Sequence, residues 1–461
     1  MKRKSFSFGF ITFLTFLLLL ASPLGAQTKK EREQAKRLQD QADKAYNQKN
    51  YRLAADTYGQ SIAVVANNSY AHFHKGFAHF NLKENDQAIS EFSTALSQGY
   101  KPLDVYRVRF YIYYEQKNYD AALDDIRKGL ALDPKDPAFL KALGEINLAN
   151  KAYPEALDSL QRASQVALND ADIYYDLAQV HLAMGDTKGQ LAAAQAALEK
   201  GTRFPGECHY LVGDAQQKLL NGPASIDAYL KALNSKPDLY QAYRNLAEVY
   251  RSESRYNDAI NIAKEGLKKF PMNGNIYTDL SWYYSLADRP EDAVQAGKAG
   301  VTLLPDQYLA YTNLCRAYND LKNYSDAASA CNSALKIEPD DGETNYYLGN
   351  AYVGLGRSAE ATSKYAKAVT GLTDYTAKHP TFSDGWYLLG NASFANKEYD
   401  NAINAYQKSL AISPKFLKAR VNLGIVYTRK KNKTAALEQY NLLLPADANL
   451  AARLKTEIDR M

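Results

Sequence analysis

The sequence predicts an all-α chain, a solenoid of short helical hairpins stacked side by side. Three observations predict it. Similar segments recur every 34 residues, small residues recur at fixed places inside each segment, and Pro closes half of the segments. The period shows first in Tyr311-Thr312-Asn313-Leu314 and Tyr243-Arg244-Asn245-Leu246, 68 residues apart. Repeats then start at Ala35, Ser69, Leu103, Pro137, Ala171, Gly206, Tyr240, Gly274, Tyr308, Gly342, Ser383 and Leu417. The step is 34 residues except for one of 35 before Gly206 and one of 41 before Ser383.

Each repeat reads as two helices. Counting from its first residue, the eighth place is small in eleven of twelve repeats, Phe110 being the exception, and the twentieth is Ala in ten. Antiparallel helices approach closely only where side chains are small, so these places mark the seam within a pair. Bulk, often Tyr, holds the fourth, eleventh and twenty-fourth places. Tyr51, Tyr119, Tyr153, Tyr256, Tyr324 and Tyr399 stand at the seventeenth, where the second helix begins. The 36 Tyr of the chain are therefore mostly packing knobs. Pro134, Pro237, Pro271, Pro305, Pro339 and Pro414 end repeats because Pro cannot continue a helix.

The twelve repeats resemble the tetratricopeptide repeat family over roughly residues 35 to 444. The resemblance implies a right-handed superhelix in which each repeat touches its neighbours and the first helices line a concave face. Three features depart from the family pattern. Gln41, Lys75 and Arg109 stand at a seventh place that should be apolar, Phe110 replaces a small residue, and Gln190 replaces Ala. The domain order expected is a leader over 1–26, a linker over 27–34, ten repeats over 35–382 and two more over 383–444. A capping helix over 445–461 completes it. The seven extra residues before Ser383 equal about two helical turns and lengthen the second helix of repeat ten. Leu450, Leu454 and Ile458 give the cap one apolar face.

The leader is read from Lys2-Arg3-Lys4, an apolar run from Phe8 to Ala21, and Pro23 and Gly25 before a small residue. Cleavage near Ala26 is expected, giving an exported, periplasmic or secreted chain that is not embedded in a membrane. Association with one would come through partners. The run is shorter than the roughly 20 residues a spanning helix needs. Without the leader's three basic residues the chain has 53 basic and 51 acidic groups, which gives no electrostatic case for nucleic acid.

The inner stripe of the family, at the second, fifth, ninth and twelfth places, supplies the candidate binding residues. Repeats two and three place Tyr70, Phe73, Phe77, Phe80, Arg107, Tyr111 and Tyr114 there, an exposed aromatic patch of the kind that marks a binding site. Later repeats are more polar, with Tyr175, Arg244, Trp282, Arg316, Tyr346, Asn350, Tyr387 and Asn391. Asn245, Asn313 and Asn422 lie at the neighbouring sixth place. An amide donates and accepts at once, so such a row suits a peptide backbone. Similarity to the asparagine-lined superhelix of O-linked N-acetylglucosamine transferase is partial. The pattern by which co-chaperones of the family clamp a C-terminal carboxylate is missing, since Lys141 is followed by Glu145.

Cys315 and Cys331 occupy the eighth and twenty-fourth places of one repeat. A disulfide and a pair of small core residues both fit that spacing. His72, His74 and His79 read as packing rather than as a metal set. Gly354-Leu355-Gly356-Arg357-Ser358 lacks the Lys-Ser/Thr ending of a phosphate loop. No catalytic set and no cofactor are expected. The functional expectation is a non-enzymatic scaffold for partner proteins or extended peptides, in a bacterial envelope assembly or secretion system. A glycan-strand binder and a peptide-holding chaperone are the alternatives.

Overall fold

The computed structural model describes residues 28–461, and the expected leader lies outside them. The described residues form 25 helices and no strand, and they divide into two compact bodies at Leu168 and Asn169. That division falls between repeats four and five.

The N-terminal body holds four helix pairs. They are α1 (Lys29–Asn47) with α2 (Tyr51–Val64), α3 (Ser69–Asn81) with α4 (Asn85–Ser97), α5 (Pro102–Glu115) with α6 (Tyr119–Leu132), and α7 (Pro137–Ala149) with α8 (Tyr153–Val166). The expected linker is mostly helix. Thr28 and Glu31 form a reciprocal capping box, which satisfies the first free N–H groups and starts α1 at Lys29.

The C-terminal body holds eight pairs and a final helix. The first four pairs are α9 (Ala171–Met184) with α10 (Thr187–Glu199), α11 (Pro205–Lys218) with α12 (Gly222–Ser235), α13 (Tyr240–Ser252) with α14 (Tyr256–Lys269), and α15 (Gly274–Leu286) with α16 (Pro290–Leu303). Next come α17 (Tyr308–Asp320) with α18 (Tyr324–Ile337), and α19 (Gly342–Gly354) with α20 (Ser358–Lys378). Last are α21 (Ser383–Ala395) with α22 (Tyr399–Ile412), α23 (Leu417–Arg429) with α24 (Lys433–Leu443), and α25 (Ala448–Asp459). At 21 residues α20 is the longest helix described, as the insertion predicts. The cap α25 buries Ala451, Leu454 and Ile458, with Leu454 over Gly424 of α23.

The seam within each pair works by size complementarity between the eighth and twenty-fourth places. A Cβ on Gly76 would lie 2.7 Å from the Phe92 ring, one on Gly213 2.6 Å from Tyr229, and one on Gly390 2.6 Å from Tyr406. Where the twenty-fourth residue is small, as at Ala263, the eighth can be Ala247. In repeat nine these two places are Cys315 and Cys331, joined as a disulfide with Cα atoms 5.3 Å apart. Repeat three breaks the rule by packing Phe110 against Phe139 of the next repeat, ring centres 5.1 Å apart. Its polar seventh residue, Arg109, pairs with Asp125, which is fully buried.

The turn inside each pair is built the same way twelve times. The fifteenth place has positive φ in every repeat, and only Gly185 and Gly356 are glycines there. In repeat one Lys49 takes that place, its N–H bonds the Tyr46 carbonyl, and Asn50 N–H reaches back to Ala45. This closes the first helix with a left-handed residue. Asn50 then caps α2 by accepting from Leu53 N–H, and Asn118, Asn221, Asn323 and Asn432 repeat the device.

Candidate partner-binding surfaces

In the N-terminal body the aromatic patch is partly closed. Phe73 is a correction: it is only 6% exposed, because the Tyr100 ring ahead of α5 stacks on it at 4.1 Å and Phe92 meets its edge. Tyr70 is half-buried and donates its hydroxyl to Asp43 at 2.9 Å. Phe77 lies edge-on to Phe73 and Phe92. Outside this core Phe80 meets Tyr111 edge to face at 6.1 Å, and Tyr111 is 48% exposed. Tyr114 is half-buried against Tyr119. Arg107 is exposed and held by Asp136 at 2.6 Å. The open part of the patch is therefore a short ridge of Phe80 and Tyr111. His72 and His79 sit on carboxylates of their own, Glu91 and Glu84, at 2.5 and 2.6 Å, and His74 lies tilted against Tyr70 with ring centres 4.1 Å apart.

Much of the polar stripe of the C-terminal body is spent on itself. Arg244 of α13 pairs with Asp279 of α15 at 2.7 Å. Asn245 donates to the hydroxyls of Tyr210 and Tyr229 at 3.3 and 3.2 Å. Asn313 and Arg316 are corrections as groove-lining groups, because both are buried. The Asn313 amide donates to the Thr278 carbonyl at 3.0 Å, tying α17 to α15. Arg316 pairs with Glu343, donates to the Tyr347 hydroxyl at 2.6 Å and covers one side of Trp282, whose ring also lies 4.5 Å from the Arg251 guanidinium. Tyr175 packs on Phe204 at 4.6 Å, and burial pushes its hydroxyl up to about 12.

Tyr346, Asn350 and Asn391 do come together. They line a cavity of about 420 Å³ between α19, α21, α23 and the cap α25, with Phe394, Asn422, Ile425 and Arg453. The Tyr365 hydroxyl donates to Asn350 Oδ1 at 2.8 Å. The Tyr406 hydroxyl and the Asn422 amide donate to Asn391 Oδ1 at 2.6 and 2.9 Å. Both amide oxygens thus accept, Asn391 Oδ1 twice, and the NH₂ groups of Asn350 and Asn391 turn toward the Tyr346 and Tyr387 hydroxyls, so each amide keeps one N–H to donate and Asn350 Oδ1 keeps one lone pair. Arg453 adds an exposed guanidinium from the cap. Tyr387 stands behind this wall, against Phe416 and Tyr406, its hydroxyl pushed up to about 12 by burial. Sequence reasoning passed over Tyr365 and Tyr406 as knobs and Arg453 as part of a cap.

A family model described as tetratricopeptide repeat matches residues 40–101, 108–169 and 312–372, and a second of that description matches 383–416. The chain carries tetratricopeptide repeats. Among relatives of this tetratricopeptide repeat protein is the small glutamine-rich tetratricopeptide repeat-containing protein 2 of Saccharomyces cerevisiae. It is 28% identical over 148 residues, covering 32% of this chain and 41% of the relative. Anaphase-promoting complex subunit 7 of Arabidopsis thaliana is 26% identical over 166 residues, 34% of this chain and 28% of that protein. The chain thus spans less than half of either. A crystal structure of a tetratricopeptide repeat protein from Parabacteroides merdae aligns over 56% of this chain and 98% of its own, at 15% identity and a TM-score of 0.46. No helix among the described residues is long and apolar enough to cross a membrane.

Proposed function

We propose that this chain is a non-enzymatic scaffold that holds an extended segment of a partner protein, and that it works in a bacterial envelope. The observation that carries the reading is the cavity of Tyr346, Asn350 and Asn391. Each of its two amides keeps one N–H to donate, and Asn350 one lone pair to accept with, beside aromatic rings. Peptide carbonyls are acceptors spaced along a chain, and side chains of any type can leave such a groove between them. The ridge of Phe80 and Tyr111 adds an apolar contact on the other body. Tetratricopeptide repeats, and a relative that is a subunit of a multiprotein complex, are consistent with this role. The envelope setting draws on the basic-apolar-small leader and on the Cys315–Cys331 bond, which suits an oxidising compartment.

The test is a photo-crosslinking residue placed at Ile425 in the whole chain, followed by capture from envelope extract. A protein adduct is expected, and Asn350→Ala with Asn391→Ala should remove it while the helical spectrum is kept. Adducts of equal yield in that variant would overturn the assignment of the cavity. Binding on a glycan array without any protein adduct would replace the partner class. Amino-terminal sequencing of the exported chain should begin at Gln27.

A further inference from the structure

A second cavity lies away from the Asn350 and Asn391 site, beside the two extra turns of α20. We propose that it is a docking site for a cationic amphipathic peptide segment, one in which Lys or Arg flanks an apolar side chain. This goes beyond the reading above, since it uses a different cavity and none of the same residues.

The insertion builds the site. In α20 the added turns carry Asp374, Tyr375 and Lys378, and two glycines press those turns onto the start of α19. A Cβ on Gly371 would fall 2.5 Å from the Asp340 carbonyl oxygen, and one on Gly342 would fall 2.5 Å from the Leu372 nitrogen. Backbone meets backbone there, so the extra turns are fixed in place. They wall a cavity of about 740 Å³.

Its lining has two characters. Leu309 of α17 and Tyr375 are 47% and 41% exposed, with Phe382 between α20 and α21 set edge-on to Tyr375. Leu309 keeps an open surface, and Tyr375 keeps the part of its ring that His379, 4.5 Å away, does not meet, together enough to bury one aliphatic or aromatic side chain. Around them stand Glu338, Asp340 and Asp374, which make no ion pair among the described residues, and Asp341, which caps α19. Glu343 is neutralised by Arg316. Four carboxylates therefore face two lysines, Lys367 and Lys378. An apolar side chain with a positive neighbour on either side matches both characters, and an acidic segment is repelled. The side of the Tyr375 ring away from His379 also offers a face to a cation.

The experiment is fluorescence anisotropy on the whole chain with a labelled ten-residue peptide of alternating Lys and Leu. A second peptide has Glu for each Lys. The Lys peptide should bind and weaken with added salt, and the Glu peptide should not bind. Asp340→Lys with Asp374→Lys should weaken binding at least about tenfold, and Lys378→Glu should tighten it. Tyr111→Asp and Asn391→Ala, which belong to the reading above, should leave it unchanged. Equal binding of both peptides, or unchanged binding in both charge variants, would overturn the proposal. The Lys378→Glu arm keeps the result readable if the double reversal misfolds.

Discussion

Arg251 Nη1 lies 3.1 Å from the Asp384 carboxylate, although 133 residues separate the two. The pair joins α13 to α21 inside the C-terminal body. Lys418 of α23 repeats the connection by donating to the Leu286 carbonyl at 3.3 Å, and Lys415 reaches Glu253 at 3.7 Å. The stack therefore curls far enough for its inner face to touch itself. Burial opposes the charge on Arg251, but Glu248 and Asp384 outweigh it and hold the guanidinium protonated.

Asp384→Ala leaves Arg251 buried with one acid instead of two. A buried ion with a partner removed costs about 3–5 kcal/mol, and the remaining Glu248 puts the expectation near the low end. Urea unfolding should show that loss, and hydrogen exchange should rise in α13 and α21 ahead of α9 and α10. An unchanged midpoint would mean that the closure adds nothing to stability.

Gly213→Ala tests the seam. In an open helix this change gains about 1 kcal/mol. Here the new methyl would sit 2.6 Å from the Tyr229 ring, which is fully buried and anchored by its hydroxyl donating to Gln217 at 2.9 Å. The ring cannot swing away, so a net loss of about 1–3 kcal/mol is expected in thermal melts. Adding Tyr229→Leu should recover part of it.

The helical register was legible because packing within a pair is local. Starts at Ser69, Pro137, Tyr240 and Ser383, and the length of α20, follow from which residues are small and where Pro stands. The binding surface was less legible because inner-stripe residues meet partners far away in sequence. Phe73 is covered by Tyr100 from the next repeat, and Arg316 is spent on Tyr347 and Glu343. The closure of Arg251 onto Asp384 depends on small rotations summed over four repeats, which no single repeat encodes. The left-handed fifteenth place leaves no mark either, since seven of its residues are Lys.

Arg109 and Asp125 test a buried pair within the N-terminal body. Burial raises the Asp125 carboxyl, and Arg109 offsets this only in part. A folded pKa above the unfolded one means that ionised Asp125 costs stability at neutral pH, and that the cost is relieved as pH falls through the raised value. Arg109→Leu should therefore lose about 3–5 kcal/mol at neutral pH, with the loss shrinking as the medium is acidified. Arg109→Leu with Asp125→Leu places apolar groups on both sides and should equal or exceed the parent. Urea midpoints for the three chains at two pH values decide it, and a loss in the single variant that grew on acidification would contradict the assignment.

The thiols give a prediction with three readings. Cys315 and Cys331 are bonded, and Cys208 is free but buried. Burial first, then the nearby Glu207 charge, push the Cys208 thiol up to about 12, so little thiolate exists at pH 8. Iodoacetamide followed by mass measurement should add no group to the native chain. After unfolding without reductant it should add one, at Cys208, and after unfolding with reductant it should add three. Three additions without reductant would show that the bond does not form. One addition in the native state would mean that the helices around Cys208 open on the timescale of the reaction, and Cys208→Ala would then locate the opening by abolishing it.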